Sequence, residues 1–259
     1  MIIDSHCHLD SFSSPTTFFP ISSPSFLYPE VKSSFITMSV APEDWQAQIN
    51  LTQKFNHVYC ALGIHPWYVK PSSFECLLVL ERLMAISSVV AFGEIGLDFT
   101  PFYKKNRLLQ VEILSEQLDL ASRIEKPVSI HVRKAHNEMF ALLSRISVKG
   151  VIHGLGASKE VVRRYLDLGF KIGVNGTVIR NNARRYHELV RYVGLEHLVL
   201  ETDFPHVKID ILTDPKLSDI VLVAQKVASL LHTPLDQVLN QTTQNTYQLF
   251  NLHGVFDDK

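Results

Sequence analysis

Two histidines stand two residues apart near the start of the chain, in Asp4-Ser5-His6-Cys7-His8. In an extended chain that spacing sets both imidazoles on one face and turns Cys7 to the other. Two imidazoles on one face can hold one divalent cation. More residues of the same chemistry follow: His65 in Gly-Ile-His-Pro-Trp, Glu94 in Ala-Phe-Gly-Glu-Ile-Gly-Leu-Asp, His131 closing Pro-Val-Ser-Ile-His, His153 closing Gly-Val-Ile-His and Asp203 closing Leu-Val-Leu-Glu-Thr-Asp. A carboxylate can bridge two cations, which a neutral imidazole cannot, so Glu94 is a candidate bridge. Gly93 and Gly96 beside it allow tight backbone where another group must come close. Arg133 lies two residues after His131, and a guanidinium fork can take two phosphate oxygens. Pro66 restricts the His65 backbone to extended conformations. Glu201 and Asp203 alternate onto one face, and Asp203 stands further along. Each residue singly has a bland reading: a core histidine, a solvated acid, a structural ion pair for Arg133.

These side chains need a frame that brings them together. Short β-branched runs at 2–4, 35–40, 58–62, 89–93, 128–131, 150–153, 170–174 and 198–201 read as strands. Helical stripes lie between them. Leu108, Val111, Leu114, Leu118 and Ala121 share one face; so do Val162, Tyr165, Leu166 and Leu168, and again Tyr186, Leu189, Val190 and Val193. Strands alternating with helices imply parallel pairing, and eight such units imply a (β/α)₈ TIM barrel, an α/β fold. No Gly-rich phosphate loop follows the first strand, which weighs against an open nucleotide-binding sheet. Two more helices are expected at the C-terminus, with Ile220, Ala224, Val227 and Leu231 on one and Leu235, Val238, Leu239, Tyr247 and Phe250 on the other. Thr233 is the expected N-cap of the second, and both are expected to close the outer ring. In such a barrel the working residues sit at the C-terminal ends of the strands. Asp4, His6, His8, His65, Glu94, His131, His153 and Asp203 all fall at or just past those ends. That joint placement points to a metal site.

Composition narrows the class. The chain has 259 residues, 46% hydrophobic and 20% charged, with a formal net charge of −1. It reads as one globular domain over 1–259, with no global attraction for polyanions. Three scattered cysteines exclude a disulfide framework and suit a reducing cytosol. No basic leader or membrane-spanning apolar run is visible, so a cytoplasmic location is expected. Segment 10–34 holds eight Ser, four Pro and four Phe, reads as a loop, and is a candidate lid or partner-docking segment.

The motifs closely resemble the TatD family of metal-dependent DNases, a branch of the amidohydrolase-like barrels. The matching stretches are Asp4 to His8, Gly63 to Pro66, Gly93 to Asp98, Gln110 to Ala121, His131 to Ala135, His153 to Ser158, Glu201 to Pro205 and Asn245 to Phe250. The resemblance implies a barrel with a two-metal site. By it, His6, His8, Glu94 and Asp203 hold one cation, Glu94, His131 and His153 hold the other, and His65 positions substrate phosphate. Segment 10–34 replaces the family's usual helix after the first strand. Lys134 stands where the family commonly has an acid, and residues 204–218 lack its Arg/Asn-rich stretch.

The expected activity is phosphodiester hydrolysis, as a DNA exonuclease with two divalent cations: Mg²⁺ or Mn²⁺, with Zn²⁺ also suited to the imidazoles. DNA, or RNA, would be the substrate. Asp203 would orient or deprotonate the attacking water, and Arg133 would hold a phosphate. Lys104, Lys105, Arg107, Arg180, Arg184 and Arg185 are candidate backbone contacts, and Phe102 and Tyr103 candidate base-stacking residues. Two alternatives stand beside this: a small-molecule hydrolase acting on an amide, lactone or ester, and a subunit of a multi-protein assembly such as an antiphage system. The latter would dock partners through 10–34 or 204–218.

Overall fold

The structure, a computed structural model, describes residues 1–9, 33–209 and 214–252. Most of the expected lid, 10–32, and part of the candidate docking loop, 210–213, lie outside the described residues. Eight parallel strands run in sequence order: β1 (Ile2–Cys7), β2 (Ser33–Met38), β3 (Val58–Leu62), β4 (Val89–Asp98), β5 (Val128–Arg133), β6 (Gly150–Ile152), β7 (Lys171–Val174) and β8 (Leu198–Leu200). The intervening helices are α1 (Trp45–Lys54), α2 (Ser73–Leu83), α3 (Arg107–Arg123), α4 (His136–Leu143), α5 (Lys159–Asp167) and α6 (Arg184–Val193); α7 (Asp219–Leu231) and α8 (Leu235–Phe250) follow. The barrel closes where β8 meets β1. Ser5 Oγ donates to the Leu200 carbonyl at 2.9 Å, Asp203 N to His6 O at 2.9 Å, and His8 N to Phe204 O at 2.7 Å.

All eight expected strands are present, but three run further than the sequence suggested, β5 by two residues to Arg133. β1 continues to Cys7 and β4 to Asp98, so His6 and Glu94 lie inside strands rather than past them. In both places the pairing register slips, between Asp4 and Cys7 in β1 and between Phe92 and Ile95 in β4. Such a slip re-aims a side chain, and it falls on the two residues at the heart of the site. The tight backbone expected around Glu94 is there. A side chain on Gly93 would meet Ser129 Cβ at 2.9 Å, and one on Gly96, whose φ is +153°, would overlap the His131 carbonyl.

Inward-facing Ile3, Ile36, Met38, Ala61, Ala91, Val151 and Val199 form the apolar interior beneath the site, joined by Phe250 and Leu252. Both C-terminal helices pack as expected, α7 on α6 and β8, and α8 on α7, β1 and β8. The last turn of α8 goes further: Phe250 joins the apolar interior, and Asn245 Nδ2 ties the helix to the Leu195 and Leu198 carbonyls at 3.0 and 2.7 Å. Thr233 does not cap α8. Its hydroxyl donates to Leu231 O, and Pro234 takes the cap position with its carbonyl accepting from Val238 N. Leu108, expected on the buried stripe of α3, is 71% exposed because the buried face is set by Gln110, Ile113, Leu114, Gln117, Leu118 and Ala121. Cys7 points away from the site into a cluster with Leu9, Phe35 and Phe204, as alternation required.

Two buried glutamines on α3, seven residues and so two turns apart, act as substitute peptide groups. Gln117 exchanges both hydrogen bonds with the backbone of Ile64, and Gln110 does the same with Asp98. They fix the chain beside His65 and at the end of β4. Ser39 does similar work on the opposite side: its Oγ bonds to Gly63 and its carbonyl accepts from Glu94 N at 2.8 Å.

The close approach at Gly96 is testable. Gly169→Ala, where φ is +83° and nothing lies within 4 Å, is expected to cost about 1–2 kcal/mol, the penalty of the left-handed conformation alone. Gly96→Ala is expected to cost clearly more, since the new methyl meets backbone. Urea unfolding of both variants measures the difference, and equal costs would contradict the packing described.

Candidate metal centre

β1, β4 and β5, with the turns after β3, β6 and β8, bring seven of the expected residues to one spot, centred on Glu94. Its Oε2 is 3.5 Å from His6 Nε2 and 3.7 Å from His8 Nε2. Its Oε1 is 2.9 Å from His131 Nδ1, 2.9 Å from His153 Nε2 and 3.5 Å from His65 Nε2. Asp203 Oδ1 lies 3.6 Å from His8 Nε2 and 3.8 Å from His6 Nε2. Three sets of donor atoms each fall within 4.8 Å: His6, His8 and Asp203; His6, Glu94 and His153; His65, Glu94 and His131. His6 Nε2 is buried without a hydrogen-bond partner while facing two carboxylates. An unpartnered buried nitrogen is costly, and a cation held between it and those carboxylates removes the cost. Imidazole nitrogens with carboxylate oxygens suit a divalent metal, so the residues fit the group that the sequence implied.

Three of the five rings have a polar group on their far side. His6 Nδ1 shares a hydrogen bond with Ser129 Oγ at 3.1 Å, His131 Nε2 bonds Asp98 Oδ2 at 3.4 Å, and His153 Nδ1 lies 3.6 Å from Glu201 Oε1, an ion-pair distance without a hydrogen bond. Outer partners of this kind fix ring orientation and basicity. Glu201 Oε1 accepts from Gly154 N at 2.7 Å, and its carboxylate occupies the space that a side chain on Gly173 would fill. Asp4, one of the strand-end acids, turns away from the donor sets. It accepts from Thr202 N, Thr202 Oγ1 and His6 N, locking the β8 turn onto β1.

Burial alone would raise Glu94. The imidazoles of His153, His65 and His6, with the His131 hydrogen bond, outweigh it and hold the carboxyl well below its ordinary range. Burial would depress His153, but Glu94 and Glu201 lift it well above its ordinary value. His131 is raised as well, Asp98 and Glu94 overcoming burial. His65 is pushed down to about 4 by burial, and His6 is lowered by burial and by His153. Asp203 is lowered, because the His8 hydrogen bond and nearby imidazoles overcome burial. His131 and His153 thus hold a proton more readily than a free imidazole, and a cation bound to them competes with that proton.

A cavity of about 1040 Å³ opens over the cluster. Arg133 lines it, exposed, and takes part in none of the ion pairs among the described residues. Lys134, Arg180 and Arg185 line it too, whereas Lys104, Lys105, Arg107 and Arg184 do not. Among the described residues the lining carboxylates are Glu94 and Asp203. The sequence reading gave no role to Asp98, Glu201 or Ser129, and it missed His206, whose ring lies 4.8 Å from His8. Asp98 and Glu201 stood inside the quoted motifs. Ser129 stood two residues before His131 on the same strand face, and nothing in the sequence marked His206.

The raised histidines set a sign. A group raised in the fold contributes stability fully below its unfolded value, 6.5 here, and loses it as pH climbs through the folded value. Asp4, pushed up to about 7 by burial, acts in the same direction over the window above its unfolded 3.8. Metal-free protein is therefore expected to lose thermal stability as pH rises above 6.5, while metal affinity rises with proton release. Melts in EDTA and calorimetry in buffers of differing ionisation enthalpy check both. A metal-free melting temperature that climbs across this window would contradict the account.

Known proteins resemble this chain in sequence and fold. The sequence profile of TatD related DNases matches residues 3–251. The uncharacterized metal-dependent hydrolase YjjV of Escherichia coli is 30% identical over 269 residues, covering 96% of this chain and 98% of the relative. The crystal structure of that TatD homolog aligns with a TM-score of 0.84 at 30% identity, over 97% of this chain and 98% of its own. The putative deoxyribonuclease tatdn3 of Danio rerio is 25% identical over 265 residues, covering 96% of this chain and 97% of the relative. A TatD family hydrolase from Entamoeba histolytica shares the fold, with a TM-score of 0.72 at 22% identity over 84% of each chain. The profile match runs from the first strand to the end of the last helix, and the chain belongs to the TatD related DNase family.

Proposed function

We propose that this chain is a metal-dependent phosphodiester hydrolase, a DNA exonuclease that works with two divalent cations. The observation that carries the reading is how the oxygens of Glu94 are divided. Oε2 faces His6 and His8, with Asp203 beside them, and Oε1 faces His131 and His153. One ionised carboxylate set between two donor sets suits a cation on each side. The shared carboxylate favours Mg²⁺ or Mn²⁺, and the imidazoles also accept Zn²⁺. When bound, such a pair supplies an acidified water and positive charge for the attacking and leaving oxygens of a phosphodiester.

The chain's own groups do the rest. Asp203, held ionised at the cavity face, takes the water's proton at a carboxylate oxygen. The Arg133 fork holds the scissile or a neighbouring phosphate. His65 Nε2, 3.5 Å from Glu94 Oε1, orients a phosphate oxygen next to the donor sets. Arg133, Lys134, Arg180 and Arg185 face a cavity whose lining carboxylates are Glu94 and Asp203. That charge pattern favours a polyanionic strand, DNA or RNA, over a neutral amide or lactone. Among the described residues no helix is long and apolar enough to cross a membrane.

Glu94→Gln keeps the shape of the bridge and removes its charge. Cleavage of end-labelled DNA is expected to fall by orders of magnitude, further than for His153→Ala, with circular dichroism unchanged and the metals not held as a pair. Wild-type cleavage by Glu94→Gln with two metals bound would overturn the assignment. If wild type cleaves neither DNA nor RNA with any metal, the small-molecule or the assembly reading takes its place. Arg133→Ala is expected to keep metal content but to flatten the salt dependence of single-strand binding by about 0.7 units in log–log slope. An unchanged slope would return Arg133 to a structural role.

A further inference from the structure

Four aromatic side chains gather beside the metal centre, from the turns after β3 and β4. Trp67 and Tyr68 line the cavity and are 41% and 48% exposed. Tyr103 stacks on the Trp67 indole with ring centres 4.8 Å apart and planes within 8°, and Phe102, 74% exposed, meets Tyr103 edge-on at 4.8 Å.

The group is held in place rather than left loose. Trp67 Nε1 donates to Asp98 Oδ2 at 2.8 Å, and Gln110 Nε2 donates to the Tyr103 carbonyl at 3.0 Å while its Oε1 accepts from Asp98 N. Asp98 and Gln110 are both buried. Trp67 also sits close to the reacting end of the cavity, its ring 4.8 Å from that of His65 and 6.0 Å from that of His131. Around the mouth, the sector after β3 and β4 is aromatic. The sector after β5 and β7 carries Arg133, Lys134, Arg180 and Arg185. A ligand with a flat apolar group at one end and phosphates at the other matches both sectors.

We propose that the Trp67 rim is a nucleobase subsite, which takes the base of a nucleotide adjoining the phosphate held at the Glu94 centre. The proposal deepens the nuclease reading and rests on it for the identity of the substrate. A rigid, pre-positioned indole loses little conformational freedom when a base stacks on it. Every base presents a flat face, so the subsite accepts bases without reading sequence. The same hydrogen bond places Asp98 between Trp67 and His131, so an occupied rim also holds the ring that faces Glu94 Oε1.

The test compares oligothymidylate with an oligomer of equal length carrying tetrahydrofuran abasic residues at both ends. Wild type is expected to prefer the base-bearing ends in kcat/KM by about 5- to 150-fold, the value of about 1–3 kcal/mol per stacked base. Trp67→Ala is expected to bring the ratio close to one, and Trp67→Phe, which keeps a ring, to retain most of it. No preference in wild type overturns the proposal. So does Trp67→Ala losing activity equally on both substrates with the ratio kept, because that marks a structural role. Loss of the ratio in Trp67→Phe as complete as in Trp67→Ala overturns it as well.

A second arm separates this proposal from the nuclease reading. The chain has two tryptophans, and Trp45 is 3% exposed, so quenching by ligand reports on Trp67. In EDTA, oligothymidylate is expected to quench the emission and a fully abasic oligomer of equal length is not. That difference without cleavage under any metal would keep the subsite and remove the nuclease. Equal quenching, or none from either, overturns the subsite.

Discussion

A carboxylate placed almost out of contact with water dictates much of this structure. Glu94 is 4% exposed, and taking an ionised group out of water costs several kcal/mol unless opposite charges and donors surround it. Here the surroundings are imidazoles, delivered from β1, from β5 and from the turns after β3 and β6. Strands that are not neighbours can meet at one point only if the sheet closes on itself. An open sheet would hold β1 and β5 several strand widths apart. The closed barrel is the geometric condition for the site, and two of its register slips fall at His6 and Glu94.

Holding the donors still falls to buried polar groups that bind backbone. Gln110 and Gln117 grip the chain at Asp98 and Ile64, Ser39 joins the end of β3 to the middle of β4, and Asp4 fastens the β8 turn. Each bonds backbone groups beside the site that strand pairing leaves over. Asp98 does two jobs, since it touches both the His131 ring and the Trp67 indole. The aromatic rim and the metal centre therefore share one support.

Much of this was legible in the sequence, for definite reasons. Alternation in an extended chain put His6 and His8 on one side and Cys7 on the other, and the structure agrees. Strand runs flanked by amphipathic helices gave the barrel, and the strand-end rule picked out His131, His153 and Asp203. Other features need a partner strand to be seen. The extension of β4 past Gly93 depends on pairing with β5, and a register slip leaves no local mark. Asp98 and Glu201 sat in recognisable motifs, yet their task, to brace a ring on another strand, exists only in three dimensions. The plug formed by Phe250 and Leu252 looked like an ordinary helix end, because an apolar stripe does not reveal which surface it meets. Leu108 fitted the helical period and still faces solvent, since buried glutamines claim the inner face of α3.

The central claim is that one carboxylate holds two cations close together. Electron paramagnetic resonance of the protein titrated with Mn²⁺ tests it most directly. With Glu94 shared, the second equivalent creates a spin-coupled pair, as expected for ions about 3.5–4 Å apart. The isolated six-line signal then weakens as the second ion binds. A signal that grows as two independent ions, or binding that saturates at one Mn²⁺ per chain, would contradict the shared-carboxylate centre.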